Sequence, residues 1–195
     1  KLEKMMLEVT YYRVEQLVRP EEGWKVVTSR NYSCASKSEP TKYGFQDKAQ
    51  AEELLGKEKA SWEKMLAGQE QTDEIKHLRA VADWRIVEQK VNFTHVSQFI
   101  GSDVDAYEIV KVISDKTIEI RRMETTHSCK NLEVSLGGFA GHVNNQEQQE
   151  VTYESDDQAP TFRIRRKRNS LEMWTLNGSR FRLNTKPYAF YDFNF

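Results

Sequence analysis

Tyr107-Glu108-Ile109-Val110-Lys111-Val112-Ile113, then Ser114-Asp115-Lys116, then Thr117-Ile118-Glu119-Ile120-Arg121-Arg122-Met123 reads as strand, tight turn and strand. β-Branched residues crowd both arms and the middle is polar turn chemistry, the pattern of an antiparallel hairpin. The same rhythm continues toward the carboxyl end. Val151 and Tyr153 mark a strand, Ser155 to Pro160 a turn, and Phe162 to Arg168 the next strand. Leu171 to Leu176 leads into Asn177-Gly178, the clearest type I′ turn signal in the chain. Phe181 to Leu183 and Tyr188 to Phe195 follow. This succession predicts a small antiparallel barrel over 103–195, SH3-like or OB-like in size.

Ahead of the hairpin the pattern differs. Val9 to Val18 alternates as a half-buried strand, Arg19-Pro20-Glu21-Glu22-Gly23 is a turn, and Trp24 to Thr28 returns as a second strand. Arg30 to Gly44 is polar, rich in Ser and Lys, and reads as a long loop suited to touching a partner. Asp47, with Gln50 three residues on, opens a helix; Ala51, Leu54, Leu55, Trp62, Met65 and Leu66 recur at helical spacing, and Gly68 ends it. Gln69 to Lys76 reads as a polar linker and Val81 to Val91 as a third strand. The fold class is therefore α+β: a β-β-α-β unit over 1–91, a joining segment over 92–102, and the barrel. Trp24, Trp62 and Trp84 are expected to meet in one core.

The 195 residues suffice for a buried core, and their net charge of -1 disfavours a globally basic nucleic-acid binder. That average conceals an asymmetry. Between Phe162 and Lys186 eight Lys or Arg face one acid, Glu172, a local balance of +7. Cys34 and Cys129 form no CxxC pair, and His77, His95, His127 and His142 are scattered, so neither a metal centre nor a cofactor is expected. No apolar run is long enough for a bilayer and no signal peptide opens the chain, which points to the cytoplasm. Lys1 as first residue suggests a start inside a longer protein.

Two constellations carry candidate chemistry. Arg163-Ile164-Arg165-Arg166-Lys167-Arg168, taken as a strand, turns Ile164 inward with Phe162 and sets Arg163, Arg165 and Lys167 in one outward row. With Arg168, Arg180 and Arg182 such a row could neutralise phosphates, and Trp174, Tyr153 or Phe181 could stack bases. The bland alternative is a solvated strand whose cations meet Asp156 and Asp157 or discourage edge pairing. The second constellation is Gly137-Gly138-Phe139-Ala140-Gly141-His142 with Asn144, Asn145, Gln146 and Gln149. These amides and the imidazole could hold a small polar ligand or nucleotide, or they could satisfy the backbone of a loop that crosses a barrel end. No nucleophile elbow or phosphate loop accompanies either, so an enzyme is not favoured.

In motif order, 103–195 resembles an uncharacterised family of small domains met in phages and bacteria. The resemblance rests on Ser102-Asp103, the hairpin above, the Gly137 to His142 run, Asn145-Gln146 with Gln149, Phe162 to Trp174, and the closing Tyr191-Asp192-Phe193-Asn194-Phe195. Val143 stands where the family pattern would place a cysteine. The resemblance implies a small β-domain of phage-like origin and no particular activity. Three expectations follow: an accessory module that binds nucleic acid, an inhibitor or adaptor that binds a host protein through the Arg30 to Gly44 loop, and a small-molecule binder at His142.

Overall fold

The computed structural model describes residues 6–27, 43–131, 133–137, 140–168 and 173–194. Most of the loop at 30–44, together with Gly138 and Phe139, lies outside the described residues. The chain divides into two compact units, Val9–Val91 and Asn92–Phe195, the latter including the start of the first strand.

In the first unit β1 (Leu7–Leu17) is central, flanked by β2 (Lys25–Val26) and β3 (Asp83–Phe93). The turn after β1 contains a single 3-10 turn, Pro20–Glu22, and Gly23 leaves it at φ 70. Proline pre-sets the entry and glycine takes the left-handed exit without a steric cost. Helix α1 (Lys48–Ala67) starts where expected: the Asp47 carboxylate accepts from the Ala49 amide at 3.0 Å. The stretch read as a linker instead contains a second helix, α2 (Asp73–Val81). Thr72 caps it by accepting from the Ile75 amide at 3.3 Å, and Asp73 and Glu74 sit at its positive end. The order here is therefore β-β-α-α-β. Val14, Phe45 and Ala51 form its core, with Tyr12, Val27, Leu54, Leu55 and Ile86 packed around them.

The expected trio of tryptophans is a pair. Trp62 and Trp84 meet edge to face with centroids 6.0 Å apart. Trp24 instead stacks under the Arg85 guanidinium, 4.0 Å from its centroid.

The second unit is built on a closed barrel. Its strands are β4 (His95–Ile100), β5 (Asp103–Ser114), β6 (Thr117–Ser128), β10 (Thr161–Arg166), β11 (Met173–Leu176) and β12 (Ser179–Asn184). Each pairs antiparallel with the next, and β12 returns to β4, so six strands close in chain order. Between β6 and β10 come β7 (Val134–Gly137), β8 (Ala140–Val143) and β9 (Glu150–Ser155). β10 takes the first half of β6, Thr117 to Arg121, while β9 takes the second, Met123 to Ser128. Among the described residues β7 and β8 pair only with each other. One expectation is corrected here: His95–Ile100, assigned to a joining segment, is the strand that seals the barrel, with His95 opposite Asn184. Its Val96, Ser97 and Gln98 alternate inward and outward, a period that the short length of the strand obscures.

The Asn177-Gly178 turn has φ 47 and 86, both left-handed as a type I′ turn requires. Inside the barrel, Ile118, Ile120, Ile164, Trp174, Phe181, Leu183, Val96 and Tyr107 are buried, with Tyr107 edge-on to Phe181 at 5.7 Å. A second layer covers β5 and β6 from outside: Ala106, Met123 and Ala189 with Val151 and Tyr153.

Candidate nucleic-acid interface

The pleat of three adjacent strands places the basic residues. Ile164 is buried opposite Ile118, so Arg163 and Arg165 point outward from β10. Arg165 stands opposite Thr175, which stands opposite Arg180, which stands opposite Phe99. One outward row thus runs Arg165, Thr175, Arg180, Phe99 across four strands. The next row holds Met173 opposite Arg182, and Lys167 donates its amide to the Met173 carbonyl at 2.8 Å. Arg165, Lys167, Arg168 and Arg180 are exposed and have no carboxylate partner among the described residues. Arg182 lies over the Phe99 ring, 5.3 Å from its centroid.

Acidic neighbours are engaged elsewhere. Asp157 pairs with Arg121 at 2.6 Å, and Asp156 accepts from the Gln158 amide. Neither neutralises the basic rows. Arg163 is the exception, bound to Glu119 at 3.3 Å, and Arg166 reaches Asp115 at 3.7 Å.

Trp174, expected to stack bases, is corrected by the structure: it is 1% exposed. Its place in β11, opposite Phe181, turns it into the barrel, and Phe181 is buried with it. Tyr153 is held under the C-terminal segment, its hydroxyl accepting from the Ala189 amide. Phe162, expected inside, is 39% exposed at the start of β10. An exposed aromatic in the same outward row as Arg165 and Arg180 is Phe99. Sequence reading placed it in the joining segment; only the β4–β12 register brings it to Arg180.

The glycine-rich excursion resolves into a clasp on the chain's own end. Gln149 accepts from the Tyr191 amide at 3.0 Å and donates to the Tyr191 carbonyl at 2.9 Å, so one side chain imitates a strand partner. Its oxygen also meets His127 Nδ1 at 2.8 Å; an amide oxygen only accepts, so His127 carries its proton on Nδ1. Gln146 accepts from the Phe193 amide, Asp103 from Asp192, Asp192 from Asn194, and the Val104 carbonyl from Phe190. With Ala189 on Tyr153, six consecutive amides, 189 to 194, each have an acceptor. Asn194 in turn accepts from the Val143 amide at 2.6 Å.

The Asn194 amide hydrogen bond holds the Asp192 carboxyl below its ordinary range. Asn145 is buried, binding the Glu133 amide and the Asn131 carbonyl, and Asn144 accepts from Ser135. His142 is exposed on β8, opposite Ser135. Of the residues proposed to hold a ligand, Asn145, Gln146 and Gln149 therefore hold backbone, and Asn144 holds the Ser135 hydroxyl.

Among the described residues, no group of three His, Cys, Asp or Glu could hold a metal ion, and no helix is long and apolar enough to cross a membrane. Asp105 pairs with Arg122 at 2.8 Å, and Asp103 serves Asp192. In the first unit an open groove of about 470 Å³ is lined by Lys48 and Arg85 against Glu52 and Glu88, a balanced rim that favours neither sign of ligand. No family model, curated protein or solved structure matches the chain.

Proposed function

We propose that the second unit is a non-enzymatic module that binds nucleic acid across the outward face of β10, β11 and β12. The observation that carries this reading is the set of cations on and beside contiguous strands, Arg165, Lys167, Arg180 and Arg182, none of which has a carboxylate partner among the described residues. Along one strand, outward positions recur every two residues, roughly 6.6 Å apart. That spacing suits a sugar–phosphate backbone laid along the sheet. The analogy with SH3-like or OB-like barrels belongs to the same proposal, because such barrels present a strand surface to polymers. So does a phage-like origin, which rests on motif order alone.

The test is anisotropy of labelled DNA and RNA oligonucleotides, single- and double-stranded, across a salt series. Four phosphate contacts predict that log K falls against log salt with a slope of about -3 for single strands. The variant carrying Arg165→Ala, Lys167→Ala, Arg180→Ala and Arg182→Ala should abolish binding while the barrel stays folded. Absent binding, or binding insensitive to salt, rejects the proposal.

A further inference from the structure

We infer that Phe99 is a base-stacking platform and that the ligand of this face is a single-stranded polynucleotide; the inference rests on the reading of β10–β12 as a polyanion surface. Phe99 ends the outward row that begins at Arg165, and it is 40% exposed although it lies on a strand of the closed barrel. The Arg182 guanidinium lies over its ring at 5.3 Å, and Ile100 beside it is also exposed. A guanidinium plane backed by an aromatic ring makes one layered surface on which an unpaired base stacks, and stacking tolerates any base.

A duplex offers that surface nothing along its length, because its bases are already stacked inside two backbones. It meets only the cations. A single strand meets both, so discrimination between the two forms should reside in Phe99 while the salt dependence resides in the arginines and lysine.

The experiment compares the full chain with Phe99→Leu and Phe99→Tyr, using a 12-nucleotide oligo-dT and a 12-base-pair duplex at one ionic strength. Leucine keeps an apolar cover beneath Arg182 and removes the ring; tyrosine keeps the ring. The wild-type chain is expected to prefer the single strand. Phe99→Leu should lose about tenfold in single-strand affinity, the worth of one stacked base, with its salt slope and duplex affinity unchanged. Phe99→Tyr should restore it. A wild-type chain that binds the duplex as well as the single strand overturns the inference, with no variant needed, as does a Phe99→Leu chain of wild-type affinity. In both cases salt-dependent binding would persist and the polyanion reading would stand. Loss of all binding in the wild-type chain would remove that reading and this inference together.

Discussion

Glu108 shows how a buried charge is tolerated at the level of single residues. It is 4% exposed, yet one oxygen takes two bonds from Arg121, at 3.0 and 2.8 Å, and the other takes the Ser155 hydroxyl at 3.0 Å. Arg121 also holds Asp157, so the pair fastens the start of the β9–β10 turn to the barrel. Removing Glu108 leaves the largely buried Arg121 with only the exposed Asp157, a loss of about 3 kcal/mol, so Glu108→Ala should lower the denaturant midpoint far more than Glu119→Ala, whose partner Arg163 is exposed. Glu15 is the counterpart in the first unit. Burial raises its pKa, but hydrogen bonds from Arg85 and Arg13 outweigh that and leave it below the ordinary glutamate value. The unfolded chain therefore binds the extra proton first. Stability from this triad is complete above pH about 4.3 and is lost as pH falls from there through the folded-state pKa. Tryptophan fluorescence across an acid titration should show that loss, and Glu15→Gln should flatten it. Gln149→Leu should cut amide protection at Tyr191 and its neighbours, costing about 1–3 kcal/mol for the polar groups left unpaired.

Elements differ in how openly the sequence announces them. The β5–β6 hairpin, the Asn177-Gly178 turn, β1 and α1 were all legible, because period and turn chemistry lie within a dozen residues. Helix α2 was missed although Thr72-Asp73-Glu74 is helix-start chemistry; of its short apolar side, Ile75 fell in the linker and Val81 in the strand, with Leu78 in neither. β4 was missed because its partners, β5 and β12, are set by long-range register rather than by local pattern. The same limit applies to the site. The outward parity of Arg163 and Arg165 is legible, whereas β10 ends before Lys167, Phe162 stays exposed, and the inward turn of Trp174 and the arrival of Phe99 depend on barrel closure. Glycines separate local from tertiary constraint in a measurable way. Gly178 has φ +86 and open space around it, so Gly178→Ala should cost only the left-handed penalty, about 1–2 kcal/mol. Gly44 has φ +116, and an added Cβ would lie 2.5 Å from the Tyr12 carbonyl oxygen. Gly44→Ala must break the Tyr12–Phe45 bridge as well and should be the more damaging by thermal melting.

On the scale of the whole molecule, charge is segregated rather than absent. A net charge of -1 combined with +7 between Phe162 and Lys186 leaves -8 for the remainder. The six-strand closure collects part of the positive set on one outward surface, while the C-terminal clasp occupies Gln146 and Gln149, two of the amides that otherwise suggested a ligand loop. Association should therefore be steered by one side of the second unit and weaken steeply with salt. The most direct test is the slope of log K against log salt for a single-stranded oligonucleotide, measured for the full chain and for Arg165→Ala, Lys167→Ala and Arg180→Ala singly. Each substitution should lower the magnitude of the slope by about 0.7, one phosphate contact apiece. Slopes that stay at the wild-type value in all three variants would contradict the account, because the cations of this face would then touch no phosphate.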